Sequence, residues 1–480
     1  MEKLLNTTVY SALWSMARVL LTTGLNFLTT LALAWFLAPA DFALIAMTVV
    51  FVQLATFLVD SGFSDALIRK TRISDAEQDS VFYLSLLIAA VIYGLIFLAA
   101  PLVSDFYSQP ILIDIIRIIT FSVFFKALVV VPNVLLTRQL SFKKLFWINL
   151  PATTFASALC IYLAYHGSGV WALVWQPVAY AVLSAAITLT VVDWRPGLKF
   201  SLACIRDLFG FSSYLLINRL LNIPFNNMYL IVLPKVFSPT LVGLYFFAQK
   251  IKEVLVDLLV SSVEKVTYSA FAKLQDDEEL LHEAYRRLVR TTTFVSFGFL
   301  VLCILLAPAL YQYALSEDWL PGLLVMQLFC LSALFLPLHS VNLNILKIRK
   351  RADLVLGLGI FKKVVSVLVF LWTIQYGVAW VVGGQVVASI VTYVPCAVVA
   401  ARVTSYSIWQ QFADFTPSLL LSLALGGAMA LIVDLWTFST LLAYGLSSLG
   451  FIVLYLAVAH YLRLQGLMSI KRFVTKELTA

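Results

Sequence analysis

Charge is what this sequence has least of: only 12% of its 480 residues are Asp, Glu, Lys or Arg, while 62% are hydrophobic. A water-soluble domain carries about a quarter charged residues, and a mean hydropathy of +0.96 lies far outside that class. Cysteine is scarce as well. The five present, Cys160, Cys204, Cys303, Cys330 and Cys396, stand singly, which argues against a disulfide framework or a thiolate metal site and leaves them as apolar packing residues. The four histidines (His166, His282, His339, His460) show no ligand spacing, and only His339 falls where it would face a lumen. There is no Walker loop, zinc-binding motif, Rossmann glycine pattern or nucleophile elbow. Nothing supports ATP hydrolysis or covalent catalysis, and no cofactor or metal is expected.

What the chain has in abundance is long apolar runs. A helix crossing a bilayer needs about 20 apolar residues, and runs of that length recur from end to end, near 10–36, 41–64, 80–104, 113–137, 146–165, 169–192, 211–234, 240–266, 291–315, 320–345, 354–375, 378–401, 413–434 and 439–462. This predicts an all-α integral membrane protein of about fourteen spans. The first run opens at Met1-Glu2-Lys3 and continues to Phe36, too long for a signal peptide, so it is expected to be a retained helix.

Orientation follows from the basic residues, which gather in cytoplasmic loops. Most of the 33 Lys and Arg fall in alternate connections, among them Arg69, Lys70 and Arg72; Arg138, Lys143 and Lys144; Arg286, Arg287 and Arg290; and Lys347, Arg349, Lys350 and Arg351. The opposite loops hold Lys235 and acidic residues such as Asp41, Asp105, Glu317 and Asp318. Both termini are therefore expected in the cytoplasm. The net charge of +8 is largely this orientation signal and does not indicate a nucleic-acid partner.

The remaining basic residues fall in or near the spans. Arg117 and Lys265 are close enough to helix ends to snorkel to the interface. Arg18, Lys126, Arg219, Lys250, Lys252 and Lys362 lie deeper, where a charge costs at least about 2.5–3.5 kcal/mol and must face protein or water. Arg18, Lys126, Arg219, Lys250 and Lys362 form the candidate anion-binding set. Lys250, Glu253, Asp257 and Glu264 share one helical face by their spacings, so an internal ion pair at Lys250 is as well supported as a substrate contact. Arg18, Lys126 and Arg219 have no acid within a helical turn. Asp60, Glu253 and Asp257 are the candidate ion-coupling carboxylates, and Asn26, Asn222 and Asn227 the candidate sugar contacts. Prolines at 132, 177, 224, 337 and 395 would bend or break spans.

Internal repetition sets the expected organisation. RVLLTTGLNFLTTLALAWFLAPADFALIAM, from Arg18, echoes RLLNIPFNNMYLIVLPKVFSPTLVGLYFFA, from Arg219: Arg18 matches Arg219, Asn26 matches Asn227 and Pro39 matches Pro239. Two halves of six helices, residues 1–195 and 196–405, are then followed by two further helices and a tail in 406–480. Transporters commonly arrange such repeats around a midplane site exposed alternately to either side.

The chain also resembles the Wzx-type polysaccharide flippases of the multidrug/oligosaccharidyl-lipid/polysaccharide exporter superfamily, and within them the colanic-acid and exopolysaccharide branch. The resemblance rests on SALWS (11–15), RKTRISDAEQDSVFYL (69–84), LTRQLSFKKL (136–145), GVWALVWQPVA (169–179), WRPGLKFSL (194–202), VGLYFFAQKI (242–251) and SAFAKLQDDEELLHEAYRRLVR (269–290). It implies two six-helix lobes around a central cavity, in the bacterial cytoplasmic membrane. It also implies an oligosaccharide substrate on undecaprenyl diphosphate, with a polysaccharide polymerase and assembly proteins as partners. A diphosphate suits the basic set, since Arg makes bidentate contacts with phosphate oxygens and Lys acts as a point charge. A multidrug or ion antiporter of the same superfamily would share the fold, but cationic drugs call for a carboxylate-rich cavity. A membrane polysaccharide polymerase would carry a long external catalytic loop, and the predicted external loops are short.

Overall fold

The computed structural model describes residues 2–60, 62–70, 72–206, 220, 222–274, 277–435 and 441–478, and among these there is no β-strand. Among the described residues, eleven helical segments are long and apolar enough to cross a membrane, or twelve with one bent pair taken as a single span. Lipid is the solvent for their outer faces: Leu98 and Leu102 are 75% and 72% exposed, which is tolerable only where no water meets them. The chain divides into two compact units, Met1–Phe246 and Phe247–Ala480.

The first unit contains α1 (Glu2–Phe36), α2 (Pro39–Asp60), α3 (Phe63–Arg69), α4 (Asp75–Tyr107), α5 (Leu112–Leu128), α6 (Val130–Arg138), α7 (Phe142–Tyr165), α8 (Val170–Val191), α9 (Met228–Val236) and the opening of α10 (Pro239–Leu274). α7 packs against α1 and α8, and α5 against α2, α4 and α8. The fourth predicted span is broken: α5 and α6 meet at 46°. Pro132, in the first turn of α6, lacks an N–H and its ring would clash with the carbonyl of Leu128, where α5 ends. Pro39 and Pro239 each open a helix directly after a two-residue break, a position suited to their fixed φ. Gly243 passes so close to Pro39 that a Cβ would lie 1.7 Å from the Pro39 carbonyl oxygen, which only glycine permits.

Several segments that carry the family resemblance interlock at the basic-loop end of this unit. Ser74 and Glu77 form a reciprocal capping box at the start of α4, worth about 1 kcal/mol. The buried Asp79 carboxylate accepts the backbone N–H groups of Gly197 (2.9 Å) and Lys199 (3.3 Å), the Tyr83 hydroxyl donates to the Gly197 carbonyl (2.9 Å), and Ser80 Oγ accepts from Ser201 N–H (2.9 Å). A Cβ at Gly197 would sit 2.5 Å from Asp79 Oδ2. Arg138 donates to the carbonyls of Leu67 and Lys70, tying down the end of α3.

The second unit continues with the rest of α10, then α11 (Glu278–Tyr313), α12 (Leu323–Ala333), α13 (Leu336–Ile348), α14 (Ala352–Thr373), α15 (Val378–Val403), α16 (Ile408–Leu435), α17 (Leu441–Tyr461) and α18 (Gln465–Leu478). Its core joins Tyr285 and Phe297 of α11 with Val341 of α13, Tyr393 of α15 and Phe415 of α16. α11 has 36 residues, about 54 Å of helix against a hydrocarbon layer of about 30 Å. It therefore extends beyond the bilayer. The tenth predicted span is divided into α12 and α13, with Pro337 four residues after Ala333 repeating the proline geometry of the fourth span. By contrast, Pro177 and Pro395 lie inside unbroken helices, α8 and α15. The five cysteines are free thiols.

Candidate functional site

The first unit places its intramembrane cations against neutral groups. On α1, Arg18 stands within electrostatic reach of Tyr180 of α8, whose hydroxyl donates to Asn149 Oδ1 of α7. The Arg18 Nε is buried and has no hydrogen-bond partner among the described residues, so the guanidinium keeps an unused donor. Lys126, in the last turn of α5, donates to Thr56 Oγ1 of α2 at 2.9 Å, and the carbonyl end of its own helix offsets part of its charge. One turn before Thr56, Gln53 accepts from Asn227 Nδ2 (2.8 Å), which also donates to the Ile223 carbonyl (2.9 Å). Together these make a polar seam of α2, α5 and α9, with Arg18, Asn149 and Tyr180 forming a second polar group on α1, α7 and α8.

The other sequence candidates in this unit are dispersed. Asn26 is exposed on α1, whereas its repeat counterpart Asn227 is buried and bonded. Asp60, at the end of α2, accepts from the Ser64 hydroxyl. Asn222 is half-buried and partnered. Arg219 lies outside the described residues. Arg117 lies over the Phe97 ring, 3.9 Å from its centre, a contact that stabilises a cation in an apolar setting.

In the second unit several cations are compensated by carboxylates. Lys250 pairs with Glu253 at 2.8 Å, three residues on, and Glu253 also accepts from Gln249 (2.9 Å). Asp257 lies within electrostatic reach of both members, so Lys250, Glu253 and Asp257 share a face as their spacing predicts, while the Glu264 side chain lies outside the described residues. Lys252 lies over the Phe329 ring at 4.8 Å. Lys362 of α14 is exposed and within electrostatic reach of Lys252 and of His339 of α13. These three basic side chains come from three helices, α10, α13 and α14. Near the start of α16, Asp414 accepts from Arg286 Nε (2.7 Å), Arg290 Nη2 (2.6 Å) and the Tyr406 hydroxyl (2.8 Å). Burial and the adjacent Asp414 carboxylate push the Tyr406 phenol far above its usual range, so it remains a neutral donor. Sequence reasoning did not single out Gln53, Thr56, Asn149, Tyr180 or Asp414. The available signal was polarity at three-residue spacing in an otherwise apolar run, as with Gln53 and Thr56.

Among the described residues, no group of three or more His, Cys, Asp or Glu is arranged to hold a metal ion. The chemistry these groups offer is electrostatic: fixed cations and amides in a low-dielectric setting, suited to binding an anion.

A family model described as "Polysaccharide biosynthesis protein" matches residues 32–324. The lipopolysaccharide biosynthesis protein WzxC of Escherichia coli (strain K12) is 26% identical over 394 residues, 80% of this chain and 76% of that protein. The succinoglycan biosynthesis transport protein ExoT of Rhizobium meliloti (strain 1021) is 25% identical over 315 residues, 65% of this chain and 61% of that protein. The teichuronic acid biosynthesis protein TuaB of Bacillus subtilis (strain 168) is 21% identical over 302 residues, 62% of each. Of solved structures, the lipid II flippase MurJ in an inward closed conformation superimposes with a TM-score of 0.76 at 14% identity, covering 94% of this chain and 99% of MurJ. An inward-facing multidrug resistance MATE family transporter of the MOP superfamily gives 0.63 at 15% identity, covering 81% and 98%. At these identities the likeness establishes the fold.

Proposed function

The chain belongs to the polysaccharide biosynthesis protein family, and from that premise we propose that it is a flippase, a transporter and not an enzyme. In this reading it moves oligosaccharide repeat units linked to undecaprenyl diphosphate across the bacterial cytoplasmic membrane by alternating access, with both termini in the cytoplasm. The exported units feed a surface polysaccharide, with a polymerase and assembly proteins acting on them afterwards. The observation that carries the reading is the state of Arg18: a cation inside a membrane helix with a buried, unsatisfied donor. Keeping such a group in a bilayer is expensive unless something anionic visits it, and a diphosphate supplies two charges and many acceptor oxygens. Lys126 extends the field within the first unit, and Lys252 and Lys362 supply a corresponding field in the second. Arg219, the repeat counterpart of Arg18, belongs to the same proposed set. Asn26, Asn222 and Asn227 remain the proposed sugar contacts, and Asp60, Glu253 and Asp257 the proposed ion-coupling groups.

The test is a deletion strain complemented with the wild-type or the Arg18→Gln protein, each measured for membrane abundance and for lipid-linked oligosaccharide. The deletion should accumulate the lipid-linked unit and lose surface polysaccharide. Wild type should restore export. Arg18→Gln should not, although it inserts at near-normal levels, and Arg18→Lys should restore it in part because the charge survives without the bidentate fork. Full export by Arg18→Gln removes Arg18 from the proposal, and absence of lipid-linked intermediate in the deletion removes the flippase reading itself.

A further inference from the structure

The connection that leaves α8 is held firmly by its backbone, yet it turns large apolar side chains outward. Leu198 is 93% exposed, the most of any large apolar residue described, and Leu202 and Phe200 are 73% and 52% exposed. Before them, Trp194 packs edge-on against the Phe82 ring with centres 5.5 Å apart. The N–H groups of Gly197 and Lys199 then go to Asp79, and that of Ser201 to Ser80. Ser201 also starts the helical residues 202–206: its carbonyl accepts from Ile205 N–H (3.3 Å) and its Oγ from Cys204 N–H (3.5 Å). A strap fastened at 194, 197, 199 and 201 thus presents 198, 200 and 202 as a fixed apolar group.

Two helices give the height of this strap. α8 has 22 residues, about 33 Å of helix, so Val191 lies at the edge of a hydrocarbon layer about 30 Å thick. On α4 such a layer takes about 20 residues, and counted back from Asp105 it ends near Leu84. Asp79 and Ser80, which hold the strap, then lie about 6–8 Å outside that edge, at headgroup level. Basic side chains are interleaved with the apolar three. Arg195, Lys199 and Arg206 are exposed, Asp193 is the one acid within residues 193–206, and Asp75 reaches Lys199 Nζ at 3.7 Å.

We propose that residues 195–206 form a membrane-surface anchor, in which Leu198, Phe200 and Leu202 enter the boundary between headgroups and acyl chains while Arg195, Lys199 and Arg206 lie among lipid phosphates. Apolar and basic side chains combined at this height are what an interfacial segment needs, its apolar part sinking about 5–10 Å into that boundary. The bilayer is the occupant because the apolar group stands at the edge of the lipid-facing side of α4, where Leu87 is 59% exposed, and an apolar patch there extends that contact instead of facing water. This surface does not depend on what the protein transports.

The experiment uses full-length protein with its five native cysteines replaced, shown to be monodisperse, and reconstituted in liposomes of phosphatidylethanolamine and phosphatidylglycerol. Single cysteines L198C, F200C and L202C carry an environment-sensitive fluorophore, with L87C as the lipid reference and E279C, at the exposed start of α11, as the aqueous one. Iodide in the buffer should quench the three strap positions less than E279C, and nitroxide lipids labelled near the headgroup should quench them more than lipids labelled deep in the acyl chain. Iodide quenching equal to that at E279C would overturn the proposal, leaving the apolar group in water and open to a protein partner. Protection from both iodide and nitroxide lipid would overturn it too, since the group would then be covered by the protein's own residues.

Discussion

Cations of two kinds can be compared between the two units, those that rest on dipoles and those that face a carboxylate. In the first, Arg18 and Lys126 rest on tyrosine, asparagine and threonine; in the second, Lys250 has Glu253 and the pair Arg286 and Arg290 has Asp414. A cation beside a carboxylate is neutralised within the protein, so it adds rigidity and little external field. One supported by dipoles alone keeps its net charge, and an anionic ligand is what would complete it. The location of a basic residue in an apolar run is therefore not enough to assign a role. What decides is whether the partner is charged.

The contrast breaks most severely at Asp414. Its carboxylate is 5% exposed and compensates two guanidinium groups, so Asp414→Asn leaves both without a counter-charge. Removing one partner of a buried ion pair costs about 3–5 kcal/mol. Because Arg286 and Arg290 are 36% and 22% exposed, water relieves part of that loss and the lower end, about 3 kcal/mol, is expected. Against a net stability of about 5–15 kcal/mol this should show as a marked fall in monodisperse, detergent-extractable protein. Undiminished yield together with intact export would mean that the second unit does not depend on internal compensation.

The first unit should respond in the reverse sense. Lys126→Met keeps an unbranched apolar side chain of similar reach and orphans no acid, since its partner is the Thr56 hydroxyl. Melting of the purified protein should move by less than about 0.5 kcal/mol equivalent, or rise slightly because a desolvated charge is gone. Export, measured as surface polysaccharide per unit of membrane protein, should fall at least about tenfold if the charge contributes about 1.4 kcal/mol to holding the substrate. A destabilised variant with proportional export loss would place Lys126 with the structural cations of the second unit.

Much of this was readable in the sequence, for a physical reason: when lipid is the solvent, apolar length alone marks a span. The runs near 80–104 and 378–401 became single helices, α4 and α15. Where the reading was coarse, proline was responsible, since the spans over 113–137 and 320–345 carry Pro132 and Pro337 and each resolved into two helices. Pairing across one helix was legible too, as Lys250 and Glu253 show. Pairing across helices was not. Asn227 and Gln53 are 174 positions apart, Lys126 and Thr56 are 70 apart, and Arg290 and Asp414 are 124 apart; hydropathy has no term that links such distant residues. The Asp79 contacts with Gly197 and Lys199 explain in the same way why two separate resemblance segments travel together in this chain.

The smallest expected effect, and the finest test of the contrast, is at Lys250 and Glu253. The two side chains are 38% and 41% exposed, so their attraction is diluted by the surrounding medium, and an i,i+3 pair of that kind contributes well under about 1 kcal/mol. A double-mutant cycle of Lys250→Gln, Glu253→Gln and both together isolates the pair, provided melting and export are read on the same preparations. If Lys250 serves Glu253, each single change should weaken melting slightly, the double mutant should recover part of the loss, and export should follow melting. If Lys250 instead reaches the substrate, Lys250→Gln should reduce export with melting unmoved, and adding Glu253→Gln should not restore it. The geometry favours the first outcome, because Lys250 already has a carboxylate at 2.8 Å whereas the Arg18 Nε has no partner at all among the described residues. The second outcome would return Lys250 to the anion-binding set and reduce the difference between the two kinds of cation to one of degree.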